Sequence, residues 1–236
     1  MFTLFKLQTH FEAALSTRSD GNMLLIDENP DGQKHREKWL STFGLQTSDL
    51  IRAGLAHSNL VKLVGIGDRG QIFEGVDGLI SVEQGVAMSI TVADCLPIYF
   101  YDPEHRAIGL AHAGWKGIAQ NIISAVIAQM SAEFHSNPAK LLVVVGPGIG
   151  DCHFEVKDDV AQTLSEYGEH IFRTTDGSVF INLKSIARKQ LTAAGVIADS
   201  IEMSPLCTYD EKDRYFSRRR DQPTREAMLA IISLKS

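Results

Sequence analysis

Cysteine is scarce in this chain. Cys95, Cys152 and Cys207 are the three in 236 residues, odd in number, widely spaced and without a Cys-x-x-Cys pair. A disulfide framework is thereby excluded, and a reduced, cytoplasmic protein is expected. Long apolar runs are missing as well. The longest, such as "LLVVV" from Leu141, are strand-sized and far short of the roughly 20 residues that cross a bilayer. The opening "MFTLFKLQTHFEAALSTR" is broken by Lys6, Gln8, His10 and Glu12, so it lacks the apolar core of a secretion signal. There is no basic excess either: 23 Lys and Arg face 29 Asp and Glu, for a net charge of −6. That balance argues against a sequence-independent grip on nucleic acid, and the run Arg218-Arg219-Arg220 is too short to reverse it. Internal repeats, low-complexity tracts and proline-rich linkers are absent, so residues 1–236 are expected to form one domain. With 44% apolar residues, the chain has ample material for a core.

What is present alternates between strand-like and helix-like patterns. The polar stretch "DENPDGQKHREK" reads as a surface loop leading to a short helix with Trp39, Leu40 and Phe43 on one side, stopped by Gly44. Apolar runs at Leu60–Val64, Ala87–Val92, Pro97–Tyr101, Ala107–Ala111 and Leu141–Val145 read as strands. In "WKGIAQNIISAVIAQMSAEF", Ile118, Ile122, Val126, Met130 and Phe134 recur at three- and four-residue steps, the pattern of one long amphipathic helix. Asp158 is placed to cap a helix running through Val160 and Leu164. Asn182 is placed to cap another that ends before Gly195. "PTREAMLAIISL" reads as a last helix with Pro223 in its first turn. The mixture predicts an α/β or α+β domain with a mixed sheet, and leaves strand order open.

The chemistry centres on "DCLPIYFYDPEHRAIGLAHAGWKG", Asp94 to Gly117. A thiol at the start of one strand and an imidazole at the end of the next are two of the ligand types a catalytic zinc ion takes. Such a site keeps three protein ligands and one open position. His57, at the entry to a strand, is a candidate third. On spacing alone, Cys95 and His112 are as compatible with a small buried thiol and a hydrogen-bonded imidazole as with a metal site. The helix predicted after "AGWKG" would offer free N–H groups to an anion, with Lys116 adding charge; a plain strand-to-helix turn fits equally well. Arg219 and Arg220 have the donor geometry for phosphate, against the reading of a solvated loop. Asp94 is a candidate base or ligand-orienting group, or a structural hydrogen-bonder in its turn. Cys152, after the glycine-rich "VVVGPGIGD", is a candidate secondary thiol of the same cleft or an inert cysteine.

The strings "DGLIS", "ADCLPI", "AHAGWKG", "VVVGPGIGDCHFEV" and "FSRRRD" together resemble the YfiH family of laccase-domain proteins, over nearly the whole chain. The resemblance implies a single α/β-type domain, with a core similar to that of the cytotoxic necrotizing factor hydrolases. It implies one zinc ion held by His57, Cys95 and His112. It implies purine nucleoside chemistry: phosphorolysis of adenosine, inosine and methylthioadenosine, and deamination of adenosine, with nucleoside and phosphate as the partners. Members of the family have also carried the labels polyphenol oxidase and peptidoglycan precursor editing enzyme.

The chain departs from the family pattern in three places. Leu55-Ala56-His57-Ser58 stands where Gln-x-His-Gly is usual, Cys152-His153 where Cys-Cys is common, and Thr224-Arg225 where Thr-Gly-Arg is common. Competing readings are a metal-free cysteine hydrolase with Cys95 as nucleophile and His112 as base, and a non-catalytic protein that keeps the metal for stability. A copper laccase is disfavoured, because eight scattered histidines without a His-x-His run do not supply a multicopper ligand set.

Overall fold

The computed structural model describes residues 10–235. Lys6 and Gln8, on which part of the signal-peptide reading rests, lie outside the described residues. The strands are β1 Phe11–Leu15, β2 Leu50–Gly54, β3 Val61–Leu63, β4 Ile72–Glu74, β5 Gly78–Ser81, β6 Ala87–Val92 and β7 Leu96–Asp102. They continue with β8 Ala107–Ala113, β9 Leu142–Val145, β10 Glu155–Val156, β11 Ile171–Arg173, β12 Val179–Ile181, β13 Ile201–Met203 and β14 Met228–Leu234. The helices are α1 Gly32–Ser41, α2 Trp115–Ala119, α3 Ile122–Phe134, α4 Asp158–Thr163 and α5 Leu183–Ala193.

Two mixed sheets carry the fold, one ordered β13-β9-β7-β8-β5-β3 and the other β1-β14-β6-β2-β4. A small third sheet, β10-β12-β11, shares no strand with either, and its Ile181 joins the core on the α3 side. All seven residues of β7 and all seven of β8 are buried, which explains their unbroken apolar sequence: a strand covered on both faces has no polar side. Side-chain alternation then sorts them. Tyr99, Tyr101, Ile108 and Leu110 meet Ile51, Met88, Ile90 and Ile232 of the other sheet. Ile98, Phe100 and Ala111 meet Ile123, Val126 and Ile127 of α3 and Ile186 of α5. Helix α1 closes the far side, with Trp39 and Leu40 against Leu50, Leu229 and Ile231.

The predicted strands are present within a residue or two of the expected bounds, and several expectations about helices need correcting. First, "AMLAIISL" is not a helix but β14, paired antiparallel with both β1 and β6. Its residues divide at period two: Met228, Ala230 and Ile232 point to one layer, Leu229 and Ile231 to the other. Helix propensity differs by only a few tenths of a kcal/mol per residue. Full burial of each Leu or Ile contributes about 2 kcal/mol, so the central slot of the sheet decides. Second, the long helix after Gly114 is two helices. Asn121 adopts a left-handed backbone at φ 61° between α2 and α3, and its side-chain oxygen accepts from Gln190 at 3.1 Å. Third, Asp158 is the first residue of α4 and Lys157 its cap.

Elsewhere the helix signals hold. The Asn182 side chain accepts from the Ser185 N–H at 3.0 Å to cap α5, and Gly195 follows its end with φ at 96°. Helix α1 begins at Gly32, inside the stretch expected to be loop.

Candidate metal centre

The β7–β8 hairpin sets the site. Its register pairs Pro97 with His112 and Leu96 with Ala113, so Cys95, one residue before β7, lies opposite Gly114, one residue after β8. The two ends meet without any offset of the strands. His57 arrives from the loop between β2 and β3, its ring edge-on to that of His112 with centroids 4.9 Å apart. The ligating atoms of His57, Cys95 and His112 all lie within 4.8 Å of one another. Burial grades across the group: His57 exposed, Cys95 partly covered, His112 buried. The site is therefore open to solvent on one side. Gly114 forms the floor of this cradle, since a Cβ there would sit 2.8 Å from Cys95 Sγ and 3.1 Å from His57 Cδ2.

Asp77 positions two of the three ligands, His57 and His112, a role that the sequence alone did not announce. Fully buried, it accepts from His112 Nδ1 at 2.8 Å and from the backbone N–H of Ala56, His57 and Ser58 at 2.8–3.1 Å. The Ser58 hydroxyl adds a fifth bond at 3.0 Å. These contacts hold His57 in its left-handed backbone, φ 57°, and leave Nε2 of His112 free to ligate. A carboxylate behind a ligating imidazole is a recurrent feature of metal sites. The serine at position 58, where the family commonly has glycine, thus serves the loop by bonding Asp77 and the Gly75 carbonyl. The available signal for Asp77 was its place at the head of "DGLIS", which names a strand entry but not a partner.

The electrostatics follow from this packing. Burial would push Asp77 up, but hydrogen bonds from His112, Ser58 and Ala56 hold it at about 2. Burial would likewise raise Cys95; the charge and hydrogen bond of His112, with His57 beside it, bring it down to about 7. For His112, burial is outweighed by the Cys95 charge and by Asp77, and its pKa rises to about 9. Each group thus favours the charged form of the other, drawing Cys95 towards thiolate and His112 towards imidazolium. A thiol so polarised, with one imidazole oriented and an open side, fits a thiophilic divalent cation.

Other expected residues fall differently. Asp94 is buried and its carboxylate is committed: Thr208 Oγ1 donates at 2.6 Å, Ser217 Oγ at 3.0 Å and the Arg219 N–H at 2.7 Å. Of the roles open to Asp94, the structural hydrogen-bonder is the one its contacts match. Arg220 is half-buried and bonded within the chain, as a structural residue is. Its five N–H donors go to the carbonyls of Thr208, Tyr209 and Tyr215 and to both oxygens of Asp221.

Arg219 is exposed, donates to the His153 carbonyl at 3.1 Å and lies 5.7 Å over the Phe154 ring. It lines a cavity of about 420 Å³ with Trp115, Phe154 and Val160, and Trp115 follows Gly114 directly. Lys116 is exposed, 5.6 Å over the Trp115 ring. Helix α2 spans only Trp115–Ala119, so the helix-dipole anion site expected there lacks its long helix. Cys152 joins a different set of side chains, His153, Cys207 and Asp210.

A layered mixed α/β fold with a His-Cys-His group at the mouth of a buried hairpin defines the class of protein. The chain belongs to the YfiH, laccase-like family: residues 18–235 match the family described as multi-copper polyphenol oxidoreductase laccase. It is 39% identical over 218 residues to the purine nucleoside phosphorylase YlmD of Geobacillus stearothermophilus, covering 87% of this chain and 80% of that protein. It is 30% identical over 220 residues to the YlmD purine nucleoside phosphorylase of Bacillus subtilis, covering 89% and 79%. The crystal structure of Geobacillus stearothermophilus YlmD superposes with a TM-score of 0.92 at 32% identity, covering 97% of this chain and 93% of that one. Among the described residues, no helix is long and apolar enough to cross a membrane.

Proposed function

We propose that this chain is a zinc-dependent purine nucleoside phosphorylase acting on adenosine, inosine and methylthioadenosine, with adenosine deamination as a second activity. The observation that carries the reading is the convergence of His57, Cys95 and His112 at the mouth of the hairpin, with His57 exposed. The purine nucleoside phosphorylase activity for which the YlmD relatives are named suggests a reaction. Zinc bound by these residues would supply a Lewis acid and a water of near-neutral pKa.

The chain's own groups supply the rest. Trp115 and Phe154 offer flat apolar faces for a purine. Arg219 and Lys116 are the exposed cations beside them, and a guanidinium suits two phosphate oxygens at once. In phosphorolysis a phosphate oxygen forms a bond to the sugar C1′. The C1′–N9 bond breaks, its electron pair leaves on the purine, and a proton neutralises the departing base. Asp94 acts by position, holding the Arg219 backbone, Thr208 and Ser217 in one loop cluster.

The test is incubation of the purified protein with each nucleoside, with and without phosphate, following free base and ribose 1-phosphate. Cys95→Ala and His112→Ala are expected to lose bound metal and turnover together; turnover that persists in both overturns the reading. A second reading, a metal-free cysteine hydrolase, is favoured by the thiolate–imidazolium pairing of Cys95 and His112. Metal analysis of protein purified without added zinc separates the two, because a stoichiometric ion on Cys95 leaves no free nucleophile. Multicopper oxidation is not favoured, given eight histidines and no His-x-His run.

A further inference from the structure

Outside the site just described, a second set of soft donors converges, and neither the proposed reaction nor the family's description uses it. Two tight turns supply it. After Gly150, the chain turns so that the N–H groups of His153 and Phe154 both return to the Gly150 carbonyl, presenting Cys152 and His153 side by side. The second turn, at Cys207–Asp210, is tied to the first by the bridge between Gly148 and Cys207. His153 Nδ1 lies 3.2 Å from Cys152 Sγ, 4.0 Å from Cys207 Sγ and 3.3 Å from Asp210 Oδ1. Cys152 Sγ lies 3.4 Å from Asp210 Oδ2, and all four ligating atoms fall within 4.8 Å of one another.

We infer that Cys152, His153, Cys207 and Asp210 form a second metal site, of the closed four-ligand kind, for zinc or a similarly thiophilic divalent ion. The spacing is the first argument. Tetrahedral bonds of about 2.3 Å to sulfur and about 2.0–2.1 Å to nitrogen and oxygen put S···N near about 3.6 Å, S···O near about 3.5 Å and N···O near about 3.3 Å. The four separations given above lie within a few tenths of an ångström of those values, and the other two are within 4.8 Å, so side-chain rotations can complete the polyhedron.

Preorganisation is the second argument. Cys207 is buried, and its sulfur accepts the Gly150 N–H at 3.2 Å, a contact that stabilises a thiolate. The His153 ring is stacked on Tyr209 with centroids 4.0 Å apart and planes 14° from parallel, which fixes the direction of Nδ1. Tyr209 is held in turn through its carbonyl by Arg220 at 2.6 Å. Donor chemistry is the third. Two thiols, a carboxylate and an imidazole already hydrogen-bond to one another, Cys152 donating to Asp210 and His153 meeting both, and all four are ligand types that zinc takes. The nearby Lys184 ammonium is engaged by the Leu206 carbonyl at 2.6 Å. A divalent cation would displace the two thiol protons and replace these hydrogen bonds with four bonds to one centre.

This site differs from the first in kind. Three ligands and an open face suit chemistry; four ligands suit a clamp. The clamp would join the 150–153 turn, whose His153 carbonyl holds Arg219, to the 207–210 turn.

The experiment strips the full chain with a chelator under reducing conditions, reloads it with zinc, and counts bound metal by mass spectrometry of the desalted protein. The wild type is expected to hold two ions per chain, and Cys95→Ser and Cys152→Ser one each. Asp210→Asn, at an exposed position, is expected to weaken one of the two by 10-fold or more in competition with a chromogenic chelator. Cobalt loaded into Cys95→Ser should give thiolate charge-transfer absorption and intense tetrahedral bands that Cys152→Ser abolishes in that background. A wild type that binds one ion, wholly lost in Cys95→Ser, overturns the inference. So does recovery of Cys152 and Cys207 as a disulfide after reducing purification and zinc loading. Because Cys95→Ser isolates this site, its failure is distinguishable from failure of the first.

Discussion

Asp77→Asn is the sharpest test of how the first site is held. The substitution keeps size and shape and converts one acceptor oxygen into an NH₂ group. One oxygen of Asp77 receives His57 N–H and His112 Nδ1; the other receives Ala56 N–H, Ser58 N–H and the Ser58 hydroxyl. Whichever way the amide turns, its NH₂ confronts at least two N–H or O–H donors in a fully buried place. Two magnitudes bracket the cost. The drop of the carboxyl from 3.8 to about 2 makes the ionised form worth about 2 kcal/mol to folding. Losing two charge-assisted hydrogen bonds at about 1.5–3 kcal/mol each gives about 3–6 kcal/mol.

A loss of about 3 kcal/mol is therefore expected, read in urea unfolding of the metal-free protein, with a fall in Tm of about 6–12 °C for a chain this size. Metal affinity should fall about 10–100-fold, because His112 loses the partner that fixes its tautomer. The sign with pH is set by the depressed carboxyl. Its stabilisation is complete above the ordinary carboxylate value and disappears as pH falls through about 2, so the wild type should approach the variant in acid. A variant that unfolds within about 0.5 kcal/mol of wild type, and binds metal as tightly, would show that Asp77 does not organise the site.

Three further outcomes follow from the same geometry. In metal-free protein, alkylation of Cys95 by iodoacetamide, followed by peptide mass spectrometry, should rise through an apparent pKa near about 7. In His112→Ala that midpoint should move towards the ordinary thiol value; an unmoved midpoint means His112 does not polarise the sulfur. Gly114→Ala puts a methyl 2.8 Å from Cys95 Sγ. It should weaken metal binding at least 10-fold while circular dichroism stays native, and unchanged affinity would remove Gly114 from the cradle. Arg220→Ala deletes five hydrogen bonds and is expected to cost about 2–4 kcal/mol of stability, whereas Arg219→Ala should leave unfolding within about 0.5 kcal/mol and raise the KM for phosphate. The reverse pattern would return the phosphate role to Arg220.

The sequence by itself determined the strands that build the hairpin and named the three residues that meet at its mouth. A run such as "LPIYFY" can bury both faces only inside layers, and "ADCLPI" with "AHAGWKG" is a distinctive enough string to identify the family. It also located the caps at Asn182 and Gly195, because those signals are local. Position in the sheet was a different matter. "AMLAIISL" has good helix formers and no polar punctuation, and only the slot between β1 and β6, covered on both faces, makes it a strand. The roles of Asp77 and Arg220 were likewise invisible, and the structural role of Asp94 was one of three left open. Their partners lie 19–35, up to 12 and more than 110 residues away. Whether a carboxylate or guanidinium faces a substrate or the chain's own carbonyls depends on which turns are folded against it. The pairing of Cys152-His153 with Cys207 and Asp210 was decided in the same way, by a contact between Gly148 and Cys207 that no spacing in the sequence announces. Residue types set what a side chain can bond; tertiary packing sets what is within reach.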